Sequence, residues 1–140
     1  MLFESVYIVP DQNILSQAVG GGAKNIFILA RAEASADENM TFLAKILAAT
    51  HTLPERDALL VWWPAGQPVS LLPVLHGKQP EKMLIFGFTP AEVGLRIDAA
   101  LYQPCVFYGT TWLFAEALSV LEPDKARKMQ LWTALKQIFL

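Results

Sequence analysis

Ile26-Phe27-Ile28-Leu29 is apolar at every position. Successive side chains of a strand point to opposite faces, so a strand with no polar side must be covered on both. Strands of that kind lie inside parallel sheets that carry a layer on each face. Outward from this stretch, Ala58 to Trp63 (ALLVWW) and Lys82 to Phe88 (KMLIFGF) read as further strands. Ser5 to Val9 (SVYIV), closed by Pro10-Asp11, reads as a strand before them, and Pro104 to Tyr108 (PCVFY) as an extended run after them.

Helical signals fall between these runs. Ser35-Ala36-Asp37-Glu38 is a capping box, and it predicts a helix to about Thr50 with Phe42, Leu43, Ile46, Leu47 and Thr50 on one face. Ile14 to Val19 is a short helical segment ended by Gly20-Gly21-Gly22. Val69 to Leu75 is another, broken at Pro73. Thr89-Pro90-Ala91-Glu92 starts a helix that Gly94 keeps short. Thr110 to Leu140 reads as two helices hinged at Glu122-Pro123, with Phe114, Leu118 and Leu121 on one face of the first. The second carries Met129, Leu131, Trp132, Leu135, Ile138 and Phe139, with Lys125, Arg127 and Lys128 in its first half. Alternating strands and helices predict a three-layer α/β/α sandwich on a mainly parallel sheet of four to five strands. No linker, repeat or low-complexity stretch divides residues 1–140, so one domain is expected.

The chain has 140 residues, 54% of them hydrophobic and 17% charged. That surplus implies a large core or an apolar surface that meets a partner. No apolar run approaches the roughly 18 residues that a membrane span needs. Met1-Leu2-Phe3-Glu4 lacks the basic start of a secretory signal, and the one cysteine, Cys105, excludes an internal disulfide. A cytoplasmic location is expected. A net charge of −2 argues against a surface built to grip nucleic acid.

Candidate chemistry is sparse. The glycine run before Lys24 lacks phosphate-loop spacing and does not follow a strand into a helix; a plain turn is the simpler reading. His51 and His76, the only histidines, have no second ligand or nucleophile patterned with them, so catalysis, metal and cofactor binding are not expected. Cys105 lies in an apolar run, where thiols pack rather than react. Asp11 follows the first strand at the carboxyl edge of the sheet, where open α/β sheets place their sites. It leaves open a nucleotide-binding protein or small enzyme using Asp11 and the turn after Trp63. Trp62-Trp63 should split between the two faces, one in the core and one covered by a helix or a partner.

The apolar set of the last helix is wider than one core contact requires. This helix either closes the sheet or closes it and also meets a partner. Leu118-Ser119-Val120-Leu121-Glu122-Pro123-Asp124-Lys125-Ala126-Arg127, then Leu131-Trp132, resembles the carboxyl-terminal part of the psi-subunit family of bacterial DNA polymerase III. The shared pattern is a leucine-bearing helix, an acidic-proline turn, a basic residue and Leu-Trp. The resemblance is sharp over about the last thirty residues and loose upstream.

It implies a fold like that of the uracil-DNA glycosylases. It also implies a non-enzymatic adaptor role through a clamp-loader or chi-like subunit. The family's flexible arm is not expected here, because the first strand begins by about Ser5. Val9-Pro10-Asp11-Gln12 departs from the glycosylases' Gln-Asp-Pro-Tyr loop, and neither histidine precedes Pro-Ser, so base excision is not expected. Trp132, Leu131, Leu121, Leu118, Lys125, Lys128 and Trp63 are the candidate partner-binding residues. Direct nucleic-acid contact is not expected, nor is a membrane, while a homodimer remains open.

Overall fold

A computed structural model describes residues 24–33, 36–64, 69, 71, 80–95, 97–107 and 109–139. The elements in chain order are β1 (Ile26–Ala32), α1 (Ala36–Ala48), α2 (Pro54–Asp57), β2 (Ala58–Pro64) and β3 (Lys82–Phe86). A 3-10 turn at Ala91–Val93, β4 (Cys105–Phe107), β5 (Thr110–Ala115), α3 (Leu118–Leu121) and α4 (Lys125–Phe139) follow. Among the described residues the sheet has five strands, in the order β2-β1-β3-β5-β4. Every neighbouring pair is parallel except β4 with β5. The fold is therefore α/β on a mostly parallel sheet.

The opening tetrapeptide sits as its composition demands. β1 is bonded to β2 on one side and β3 on the other, and its residues 26–30 are buried. Ile26, Ile28 and Ala30 face one core cluster; Phe27 and Leu29 face the other. The first cluster is closed by Phe42, Leu43 and Leu47 of α1 and by Leu118, Leu121, Leu131 and Leu135 of α3 and α4. Each such leucine stabilises by roughly 2 kcal/mol on burial. The second cluster is covered, among the described residues, by Val69, Leu71, Phe88, Val93 and Leu95. Those residues lie in irregular chain and the 3-10 turn, so the layer expected to be helical is non-helical where it is described.

α1 keeps the predicted face, with Ile46 half-buried beside it. His51 ends it with a left-handed backbone, φ 60°, while the Thr50 hydroxyl donates to Leu47 O at 2.8 Å. Asp57 closes α2: its buried carboxylate accepts from Arg56 Nε and the Leu53 amide, each at 2.8 Å. The Arg56 hydrogen bond, with that amide, holds the Asp57 pKa at about 2. At Thr89-Glu92 the capping box forms in both directions, with amide-to-side-chain distances of 2.8 and 3.3 Å. Gly94 ends that turn at φ 82°.

Three expectations need correction. Thr110–Ala115 is not the start of a helix but strand β5, paired with β3 and β4. Its side chains alternate: Trp112 and Phe114 enter the second cluster, Leu113 and Ala115 the first. Threonine, tryptophan and phenylalanine favour that pleated setting over a helix. The helix before the Glu122-Pro123 hinge is then one turn, Leu118–Leu121. Pro123, whose fixed backbone angle suits the first position of a helix and which was expected to start the second one, does not open α4 but precedes its cap: Asp124 Oδ1 accepts from the Arg127 amide at 3.1 Å, and Lys128 N donates to Asp124 O. The strand Ser5–Val9, the segment Ile14–Val19, Asp11, Gly20–Gly22, Ser35 and His76 lie outside the described residues. So does most of Val69–Leu75.

Candidate functional site

The acidic-proline turn is tied to the sheet by a chain of polar contacts. Glu116, the first residue after β5, takes Arg127 Nε at 2.6 Å and the Tyr102 hydroxyl at 2.9 Å. Arg127 also reaches Asp124 Oδ2 through Nη1 at 2.6 Å. Glu116 and then Asp124 raise the Arg127 pKa. Asp124 is held low, chiefly by the Arg127 amide. Burial, then the Glu116 hydrogen bond, pushes the Tyr102 phenol up to about 12. These groups are partly exposed, so each ion pair is weak singly. Their value is positional: they fix the end of β5, the turn at Tyr102 and the start of α4 to one another.

The structure divides the candidate partner-binding residues. Leu118, Leu121 and Leu131 are buried under the sheet. They hold α3 and α4 in place and present no surface. Trp62-Trp63 splits as strand alternation requires, but Trp63 is the core member at 5% exposure, and Trp62 is the half-buried one. Trp132 is half-buried against the first cluster, with Lys136 Nζ 5.7 Å from its ring centroid. Lys125 is exposed and Lys128 half-exposed. The wide apolar set of α4 is mostly absorbed, since Ile138 and Phe139 also pack on the core. Met129 remains, at 64% exposure. It flanks a groove of about 330 Å³ shared with Leu101, Tyr102, Gln130 and Thr133.

A second concavity, about 310 Å³, lies at the carboxyl ends of β1, β3 and β5. The chain leaves β1 toward β2 and leaves β3 toward the opposite edge. β1 and β3 thus flank the switch point where open α/β sheets hold ligands. Arg31, Phe88, Glu92, Leu101, Glu116 and Val120 are among its lining. Arg31 lies with its guanidinium carbon 5.5 Å from the Phe88 ring centroid. Its Nε is the one buried side-chain nitrogen or oxygen without a hydrogen-bond partner among the described residues. Gly87, at φ +90°, lets the walls close in: a Cβ there would lie 3.0 Å from Arg31 Cβ and 3.2 Å from Ala117 Cβ.

Sequence reasoning placed a possible site at this edge but on Asp11 and the turn after Trp63. It missed Arg31, Gly87, Glu92 and Glu116. Two local signals pointed there: an arginine ending an otherwise apolar strand, and a glycine just past the end of another. An arginine holds its proton and so binds rather than transfers. Elsewhere, Cys105 sits half-buried in edge strand β4, where burial raises its thiol pKa and suppresses the thiolate. Among the described residues no three His, Cys, Asp or Glu side chains converge to hold a metal, and no helix is long and apolar enough to cross a membrane. No protein-family model matches the chain, and a search of curated proteins finds no significant match.

Proposed function

We propose that this chain is a non-enzymatic adaptor of the DNA replication machinery, resembling the polymerase III psi subunit. It would act through a clamp-loader or chi-like subunit, on a fold like that of the uracil-DNA glycosylases. The observation that carries this reading is the segment from Leu121 to Trp132. Its turn is capped by Asp124 and anchored through Arg127 to Glu116. It leads into a helix that keeps Trp132 half-exposed beside Lys125, Lys128 and exposed Met129. A rigid ledge with an aromatic anchor and a basic border is what a protein partner grips.

A tagged chain used as bait in its native cell should recover polymerase III or clamp-loader subunits. Recovery of unrelated proteins alone would sink the proposal. The variant Trp132→Ala separates fold from contact. Its ring is only partly covered, so unfolding should cost less than the roughly 3–5 kcal/mol of a buried aromatic, while recovery of the partner falls. Charge reversal at Lys125 and Lys128 should lower recovery with the melting curve nearly unchanged.

A further inference from the structure

Arg31 makes no ion pair among the described residues. Its Nε is closed off from water without an acceptor, and Phe88 lies against the guanidinium. Leaving a dehydrated donor unpaired costs stability, and such a group needs a reason. Here it lines the switch-point cleft. The rim carboxylates are already occupied to different degrees: Glu116 by Arg127 and Tyr102, Glu92 by the Thr89 amide. The donor of the cleft left without an acceptor among the described residues is therefore on Arg31.

We propose that this cleft binds a small monocarboxylate with an apolar body. The planar guanidinium suits the two oxygens of a carboxylate. A doubly charged phosphate would meet repulsion from Glu92 and Glu116 on the same rim. Leu101, Ala117 and Val120 supply apolar wall for the rest of the molecule. A volume of about 310 Å³ is at the small end of ligand sites, which fits a short aliphatic or monocyclic acid and not a nucleotide. The proposal is independent of the adaptor role.

Isothermal titration and amide NMR on the full chain provide the test, with isocaproate as probe, isocaproamide as its neutral counterpart, and inorganic phosphate. Isocaproate should bind saturably in the millimolar range and shift the Gly87 and Ala117 amides. Isocaproamide and phosphate should each bind at least about tenfold more weakly. Arg31→Lys keeps the charge but loses the fork, and should weaken isocaproate about tenfold. Should that variant fold poorly, Leu101→Glu at the exposed mouth adds a repelling carboxylate and should weaken isocaproate by a similar factor. No saturable isocaproate signal overturns the proposal. So does amide or phosphate binding as tight as the acid, or unchanged affinity in Leu101→Glu.

Discussion

Tyr102 holds a left-handed backbone, φ 61°, a conformation that costs a side-chain-bearing residue on the order of 1 kcal/mol. Two bonds offset it: its amide donates to Phe114 O at 2.9 Å and its hydroxyl to Glu116 Oε1 at 2.9 Å. Burial and the nearby carboxylate keep its proton on to about pH 12, against 10.0 for a free phenol. The folded value is the higher one, so the contribution is full below pH 10 and disappears as pH rises toward 12. Tyr102→Phe should lose about 1 kcal/mol near neutral pH, read from urea unfolding. The gap between wild type and variant should close across that alkaline window. A gap that persists there would mean the hydroxyl bond is not what stabilises the turn.

Strand β5 shows where local pattern and tertiary context part. Trp112, Leu113, Phe114, Ala115, Ala117, Leu118 and Leu121 run on with no glycine or proline between them. The helical spacing of Leu118 and Leu121 was extended backwards over residues that the sheet claims. A contrary signal was present: Phe107 pairs with Thr110, so β4 and β5 are close neighbours in sequence, and Gly109 just before β5 stands at φ 72°. β1, β2 and β3 were legible because their central residues are apolar on both faces, with charge only toward the strand ends at Arg31 and Lys82. The Thr89-Glu92 box and the Glu122-Pro123 turn were legible because they are local. Arg31 was not, because its meaning depends on strand order, set by contacts between distant segments. Trp112 tests the strand assignment directly. It is wholly buried, stacked 6.1 Å from Phe114, and its indole nitrogen donates to Phe107 O at 2.9 Å. Trp112→Ala should cost about 3–5 kcal/mol by chemical denaturation. A loss under about 1 kcal/mol, the scale of an exposed position, would return this stretch to the surface.

The molecule as a whole is a sheet whose interior strands carry its stability. Native-state hydrogen exchange should be slowest in β1 and β3, each bonded on both sides and buried on both faces. It should be fastest in three-residue β4, whose central Val106 is 75% exposed. Uniform protection across all five strands would contradict that gradient. Light scattering over a concentration range would show whether the chain associates with itself, as its exposed Met129, Leu101 and Val106 permit. The β4–β5 hairpin also sets an order of assembly in time. It is the only sheet pairing among the described residues made by neighbours in sequence; the others join strands separated by intervening elements. A hairpin closes in microseconds, whereas non-local pairing waits on loop closure. During synthesis β5 emerges after β1 to β3, so its bonding edge meets a β3 already made. Released from denaturant all at once, the same hairpin forms before its neighbour is in place and exposes that edge to other chains. Refolding yield should therefore fall with protein concentration more steeply than yield from translation.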